Sequence, residues 1–261
     1  MNKLFTTKEF LIYLIKSKSK YYIHSPFVYT FINEVLNDKR SFYCYEEIES
    51  LRKKLEANDA RIEVEDFGAG SLLEKKNTRT ISFIAKTSAA PKKYAQLLFR
   101  IILHFKCKNM LELGTSLGVT TAYLSAVNQN EKVFTVEGSQ SIAEEAAINF
   151  SLLNRNNIKL IQGKFEEKLI PTLVEMKQVD LLYLDGNHRL NPTLDYFNSC
   201  LPFFTEYSIV VMDDIYWSSE MKQAWEQLKN HSSVTLSIDL FRMGILFFRH
   251  DRNKEHFRLY F

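Results

Sequence analysis

The stretch that decides the fold is MLELGTSLGVTTAYLS, Met110 to Ser125. An apolar run carrying the acid Glu112 meets a turn with glycines at 114 and 118, and a helix-like segment follows. Strand, glycine turn and helix make a nucleotide grip, because glycine lets the backbone approach the ligand and the helix start offers unpaired N–H groups. Residue types separate the versions of that grip. A phosphate-cradling loop needs Lys-Ser/Thr after its last glycine, and none is present. A dinucleotide turn needs GxGxxG, and Gly114-Thr115-Ser116-Leu117-Gly118 has no middle glycine. A second turn, VEDFGAGS at Val64 to Ser71, has Gly68-Ala69-Gly70 but Leu73 in the third glycine's place. It reads as a structured loop between a brief extended piece and a polar segment.

From Lys108 onward, short apolar runs alternate with helix patterns. The runs are NMLELG, KVFTVEG, IKLIQG, VDLLYLDG and SIVVMDD, then SVTLSID and MGILFFR. Ser141 with Glu144 reads as a capping box, Asn191-Pro192 as a cap with first-turn proline, and Ser219 opens a stripe of Met221, Ala224, Trp225 and Leu228. Five strands alternating with helices predict an α/β fold with a parallel, helix-covered sheet. Only LFR separates the last two runs, so they form an antiparallel hairpin.

Upstream the pattern is helical. TTKEFLIYLIKS and SPFVYTFINEVL have apolar positions at helical spacing, the second with Ser25 as cap and Pro26 in the first turn. YEEIESLRKKLEAN reads as a polar surface helix. PKKYAQLLFRIILHF lines up Tyr94, Leu97, Leu98, Ile101, Ile102 and Phe105 on one face. The expected organisation is a helical extension over residues 1–90 and a main domain over 91–261.

Composition narrows the class. A net charge of +3 is too small to imply nucleic acid on its own. Cys44, Cys107 and Cys200 are sparse, odd in number and without a CxxC pair, which predicts reduced thiols and a cytoplasmic location. FLIYLI, at residues 10–15, is too short to span a bilayer, so no membrane is expected.

The turn at Gly114 suits a nucleoside without phosphates. Glu137, in FTVEGS, places a carboxylate where it can accept hydrogen bonds from both ribose hydroxyls. So acidic an edge repels phosphate and tolerates a sulfonium cation, which points to S-adenosylmethionine. On these residues the chain from about Tyr94 to Arg249 resembles the class I S-adenosylmethionine-dependent methyltransferases. The resemblance implies a Rossmann-like, seven-stranded, mostly parallel sheet whose last strand is antiparallel. It implies that Glu112, Gly114, Ser116 and Gly118 hold the methionine end and Glu137 the ribose, with Thr115 and Gly138 in the same cofactor-binding turns. Gly163, Lys164 and Phe165 would flank the adenine.

The acceptor is read from the fourth and fifth strand ends. N-methyltransferases of bases and amides carry a D/N-P-P-Y/F tetrapeptide where this chain has LDGNHRLNP, and no Pro-Cys nucleophile is present. YLDGNHR and VMDDIYW instead resemble small-molecule O-methyltransferases of the catechol, caffeoyl and macrolide-sugar types. That resemblance implies a divalent cation, Mg²⁺, on Asp185, Asp213 and Asp214, all hard oxygen ligands. His188 stands where the catechol type has lysine, and Asn187 where the sugar type has a second aspartate. Histidine titrates in the range a general base needs, so His188 and Asp185 are the catalytic candidates. HSPFV, DFGAGS, DGNHR and DDIYWSSEMKQAW together also resemble an uncharacterised bacterial branch of the superfamily, in which DFGAGS could sit in a lid and His24, Tyr216 and Trp217 could line the pocket. The expected activity is methyl transfer to an oxygen of a small molecule. An RNA or protein methyltransferase, suggested by KSKSKYYIHS with Lys16, Lys18 and Lys20, and a silent cofactor-binding scaffold are the alternatives. Oligomeric state stays open, a homodimer included.

Overall fold

The computed structural model describes residues 3–65, 76–249 and 253–261; residues 66–71 of the DFGAGS turn lie outside the described residues. In chain order, α1 spans Lys3–Lys16 and α2 Pro26–Phe31, which runs on into a π-helical turn, Ile32–Leu36. Next come α3 (Tyr43–Glu56), β1 (Arg61–Glu65), β2 (Lys76–Thr80), α4 (Ile81–Ser88) and α5 (Lys92–Phe105). Strands and helices then alternate: β3 (Asn109–Leu113), α6 (Val119–Ser125), β4 (Lys132–Glu137), α7 (Gln140–Leu152), β5 (Ile158–Gln162) and α8 (Phe165–Met176). They continue as β6 (Leu181–Leu184), α9 (Leu190–Cys200), β7 (Ile209–Met212) and α10 (Ser219–Lys229). The last strands are β8 (Leu236–Asp239), β9 (Gly244–Phe247) and β10 (Glu255–Arg258).

The chain divides into two compact units, one of Asp38–Met176 and one of Met1–Asn37 with Lys177–Phe261. In the first, β3, β4 and β5 are parallel and in register, Leu113 opposite Val136 and Glu137 opposite Gln162. Their carboxyl ends therefore share one edge. β1 and β2 form a separate antiparallel pair. The α5 stripe is buried at Leu97, Leu98, Ile101 and Ile102. The helix expected to lie on the surface, α3, buries Cys44, Tyr45, Ile48, Leu51 and Leu55. Its many charges occupy the opposite face, and spacing of three and four residues carries the apolar stripe. Each such side chain contributes about 1.5–3 kcal/mol on full burial.

In the second unit the strand order is β10-β8-β9-β7-β6. β6 and β7 are parallel, while β9 is antiparallel to both β7 and β8. Strands β6 to β9 are buried at every residue, as expected where both faces of a sheet are covered. The seven expected strands are β3 to β9, with β9 the antiparallel one. An eighth, β10, pairs parallel with β8. Its sequence, EHFR, has no apolar run, so pattern alone did not mark it. The N-terminal helix belongs here too: the Tyr13 hydroxyl donates to the Leu259 carbonyl, and Lys222 pairs with Glu9 at 2.8 Å. The first ninety residues are thus shared between the two units.

Helix starts differ by one or two positions from the sequence reading. α7 is capped at Ser139, and the Ser141 hydroxyl donates to the Glu63 carbonyl instead. α9 is capped at Arg189, and at α10 Ser218 accepts from the Met221 N–H at 3.1 Å. Among the described residues, no helix is long and apolar enough to cross a membrane.

Candidate active site

In the first unit, the predicted cofactor residues come together at the carboxyl edge of β3, β4 and β5. Gly114 leaves β3 at φ 108° and its N–H donates to the Val136 carbonyl at 3.0 Å. Ser116 is left-handed at φ 48°, and its N–H donates to Glu137 Oε2 at 2.9 Å. Gly118 is also left-handed, at φ 78°, and a Cβ there would strike the Phe150 ring. That position therefore admits glycine for two reasons, backbone and space. Glu137 Oε1 accepts from the Ser139 N–H at 3.0 Å, so the carboxylate ties the Gly114 turn to the Gly138 turn and keeps further acceptor capacity. Burial lifts the Glu137 carboxyl to about 6, against those backbone hydrogen bonds. Gly163 follows β5 and donates to the Glu137 carbonyl at 2.9 Å; Lys164 and the half-buried Phe165 lead into α8. Beside the Ser139 turn lies an open cavity of about 230 Å³ lined by Glu63, Glu65, Ser139, Gln140, Ser141 and Glu144.

Glu112 does different work from its neighbours. It is fully buried, and its Oε2 accepts from the Thr121 hydroxyl and, at 2.7 Å, from the Thr135 hydroxyl. Thr135 in turn accepts from Thr115 at 2.6 Å. This chain joins β3, the glycine turn, β4 and α6. Its Oε1 has no partner. Burial lifts the carboxyl to about 8, the two threonines opposing and the Glu137 charge adding, so the group is mostly protonated at neutral pH. Thr121 and Thr135 are not among the sequence candidates; an acid one residue before a strand ends, with threonines on the next helix and the next strand, leaves no local signal.

The second unit gathers the acceptor candidates. β6 and β7 run parallel with Leu184 opposite Met212, which brings Asp185 and Asp213 side by side. The Tyr183 hydroxyl lies 3.0 Å from Asp213 Oδ2 and 3.2 Å from Asp185 Oδ2. His188 Nε2 is 3.8 Å from Asp185 Oδ1. Burial pushes the His188 imidazole below its ordinary value, with the Asp213 charge opposing, so it is neutral at pH 7 and able to take a proton. Trp217, partly exposed, has its ring 6.3 Å from that of His188. Tyr216 is instead a packing residue: it is buried and donates to Asp239 at 2.7 Å. His24, Tyr21 and Tyr22 are exposed.

Two of the three aspartates are paired with an arginine. Arg242, from the β8–β9 turn, reaches Asp213 through Nε at 3.0 Å and Nη2 at 3.0 Å, and Asp214 through Nη2 at 3.3 Å. Among the described residues, no group of three or more His, Cys, Asp or Glu side chains is arranged to hold a metal ion. The donor set as folded does not fit Mg²⁺. The Asp214 carboxyl is lifted to about 7 by burial and by Asp213, with Arg242 opposing. In the sequence Arg242 is only the end of the LFR connection. The signal that marks it is the hairpin itself: Met212 faces Gly244, so the turn must fall beside Asp213.

Known proteins share this fold. The methyltransferase-domain family Methyltransf_24 matches residues 111–215. This stretch, about two fifths of the chain, is similar to a methyltransferase domain. It contains Glu112, the glycine turn, Glu137, Asp185, His188, Asp213 and Asp214, while Arg242 lies beyond the matched stretch. Solved structures align over most of the chain. An O-methyltransferase from Bacillus cereus, in complex with S-adenosylhomocysteine, is 16% identical with a TM-score of 0.55, covering 84% of this chain and 96% of that one. The O-methyltransferase TomG from Streptomyces achromogenes, involved in tomaymycin synthesis and in complex with S-adenosylmethionine, is 16% identical with a TM-score of 0.56, covering 85% and 95%. At such identities the likeness is one of fold: the α/β, mostly parallel fold of O-methyltransferases. A curated relative, the uncharacterised protein R132 of Acanthamoeba polyphaga mimivirus, is 23% identical over 126 residues, 44% of this chain and 56% of that protein. The chain thus matches about half the length of that relative.

Proposed function

We propose that the methyltransferase domain binds S-adenosylmethionine at the carboxyl edge of β3, β4 and β5 and transfers its methyl group to an oxygen of a small molecule. The observation that carries the reading is Glu137: a part-buried carboxylate, held by the Ser116 and Ser139 N–H groups, with acceptor capacity left for a ribose diol. Bound there, S-adenosylmethionine supplies an electrophilic methyl group on a sulfonium sulfur. The Gly114–Gly118 turn offers backbone N–H groups and no side-chain bulk, and Gly163, Lys164 and Phe165 bound the same edge. His188, neutral at pH 7, would take the proton of the acceptor's hydroxyl group. Asp185 faces the imidazole and stabilises it once protonated. Trp217 offers an apolar face to the acceptor. Three free, buried cysteines support a reducing, cytoplasmic setting.

Calorimetric titration with S-adenosylhomocysteine tests the cofactor half. Wild type should bind and Glu137→Ala should not. Among hydroxylated acceptors, Asp185→Asn should lose transfer while keeping cofactor affinity. Failure of the wild type to bind S-adenosylhomocysteine would remove the reading.

A further inference from the structure

The acid cluster beyond β6 and β7 already contains a cation, and it is covalently part of the chain. Asp213 is fully buried, and its acceptor positions are filled. Oδ1 accepts from Arg242 Nε at 3.0 Å and from the Asp214 N–H at 2.9 Å. Oδ2 accepts from Arg242 Nη2 at 3.0 Å and faces the Tyr183 hydroxyl at 3.0 Å. A carboxylate offers about four lone-pair sites, so a metal could join Asp213 only by displacing one of these donors. The pair is bidentate, the arrangement in which guanidinium matches carboxylate best.

Arg242 is also aimed by its surroundings. The Phe241 N–H donates to Asp239 Oδ1 at 2.9 Å, and the Phe241 ring stacks on Tyr216 at 5.3 Å and meets Phe10 at 4.9 Å. The Ile215 N–H donates to the Arg242 carbonyl at 3.1 Å, fastening the hairpin turn to the segment after β7. Of the eight described non-glycine residues with positive φ, four lie here: Asn187, His188, Asp214 and Phe241. Left-handed backbone at such residues costs about 1–3 kcal/mol each and persists where surrounding structure over-determines it. Four in one cluster mark a built arrangement and not an incidental surface pair.

We propose that Arg242 is the resident cation of this site, standing where a divalent metal would sit among Asp185, Asp213 and Asp214, so that the methyl transfer proposed above needs no metal. Arginine stays charged at all working pH values and no chelator removes it. Its charge is shared between Asp213 and Asp214, so Arg242 positions these acids and fixes the site's field, and proton removal falls to His188. A chelating metal selects acceptors with two neighbouring oxygens; an arginine-centred site gives such acceptors no advantage over a single hydroxyl. The role in transfer rests on the proposed function, but the occupancy of the acid cluster does not, and the two are tested apart.

The test is titration with MnCl₂ followed by the electron paramagnetic resonance of free Mn²⁺, on wild type, Arg242→Lys, Arg242→Gln and Arg242→Ala, with circular dichroism as the folding check. Wild type and Arg242→Lys, which keep the charge, should bind no Mn²⁺ at millimolar metal. Arg242→Gln, which keeps donors but not charge, should gain Mn²⁺ affinity by roughly tenfold or more, because charge count sets such affinities. Arg242→Ala should do the same if folded; Arg242→Gln carries the test if it is not. Mn²⁺ binding by wild type, lost in Asp213→Asn, would overturn the proposal, as would a folded Arg242→Gln protein that gains none. Methyl transfer by wild type should be unchanged in excess EDTA. S-adenosylhomocysteine calorimetry on the same samples reports separately on the cofactor reading.

Discussion

Glu112→Gln should change how stability depends on pH. Glu112 is fully buried, with a native pKa of about 8 against an ordinary 4.5. Between those values the native protein holds a proton that the unfolded chain releases, so stability falls as pH rises. An acid shifted in this way disfavours folding by about 2 kcal/mol at pH 6 and about 4 kcal/mol at pH 8, nearly the full slope of about 1.4 kcal/mol per pH unit. Glutamine keeps a carbonyl oxygen for Thr121 and Thr135 and cannot ionise, so the variant lacks this slope. Asp214, raised to about 7, adds its own slope below that pH in both proteins and cancels in the difference. Urea denaturation at pH 6, 7 and 8 measures the effect. The stability difference between variant and wild type should shift by about 2 kcal/mol toward the variant from pH 6 to pH 8. Parallel pH profiles would refute the placement of Glu112 as a protonated, buried acid.

Gly118→Ala forces a left-handed alanine against the Phe150 ring and should destabilise the protein by about 1–3 kcal/mol, read by thermal unfolding, with weaker S-adenosylhomocysteine binding. Trp225, buried on α10 against Gly244, should cost about 3–5 kcal/mol on truncation to alanine in a urea titration. Asp213→Asn leaves Arg242 without its bidentate partner and should cost about 3–5 kcal/mol, the usual penalty for breaking a buried pair from one side.

Local pattern announces the carboxyl edge of β3, β4 and β5. Gly114 and Gly118 mark where the chain turns left-handed, and Glu137 ends a strand whose register with β3 and β5 follows from parallel pairing; all of this spans about fifty residues and is written in short-range spacing. The apolar runs of β6 to β9 likewise announce strands covered on both faces. β10 gives no signal because a polar strand has no run to read, and α3 reads as a polar surface helix because its charges outnumber its stripe.

The chemistry of the acid cluster was another matter. Sequence placed Asp185, Asp213 and Asp214 at neighbouring strand ends, where three hard ligands invite a cation. Only the fold brings a guanidinium from twenty-eight positions beyond Asp214 into that place, through the antiparallel pairing of β7 with β9. In the same way, the identity of Glu112 is local, but its protonation is set by burial and by threonines from β4 and α6. Composition and periodicity determine which backbone forms, because those preferences act over a few residues. Which charges meet, and which of them are shielded from water, is decided by long-range register and packing.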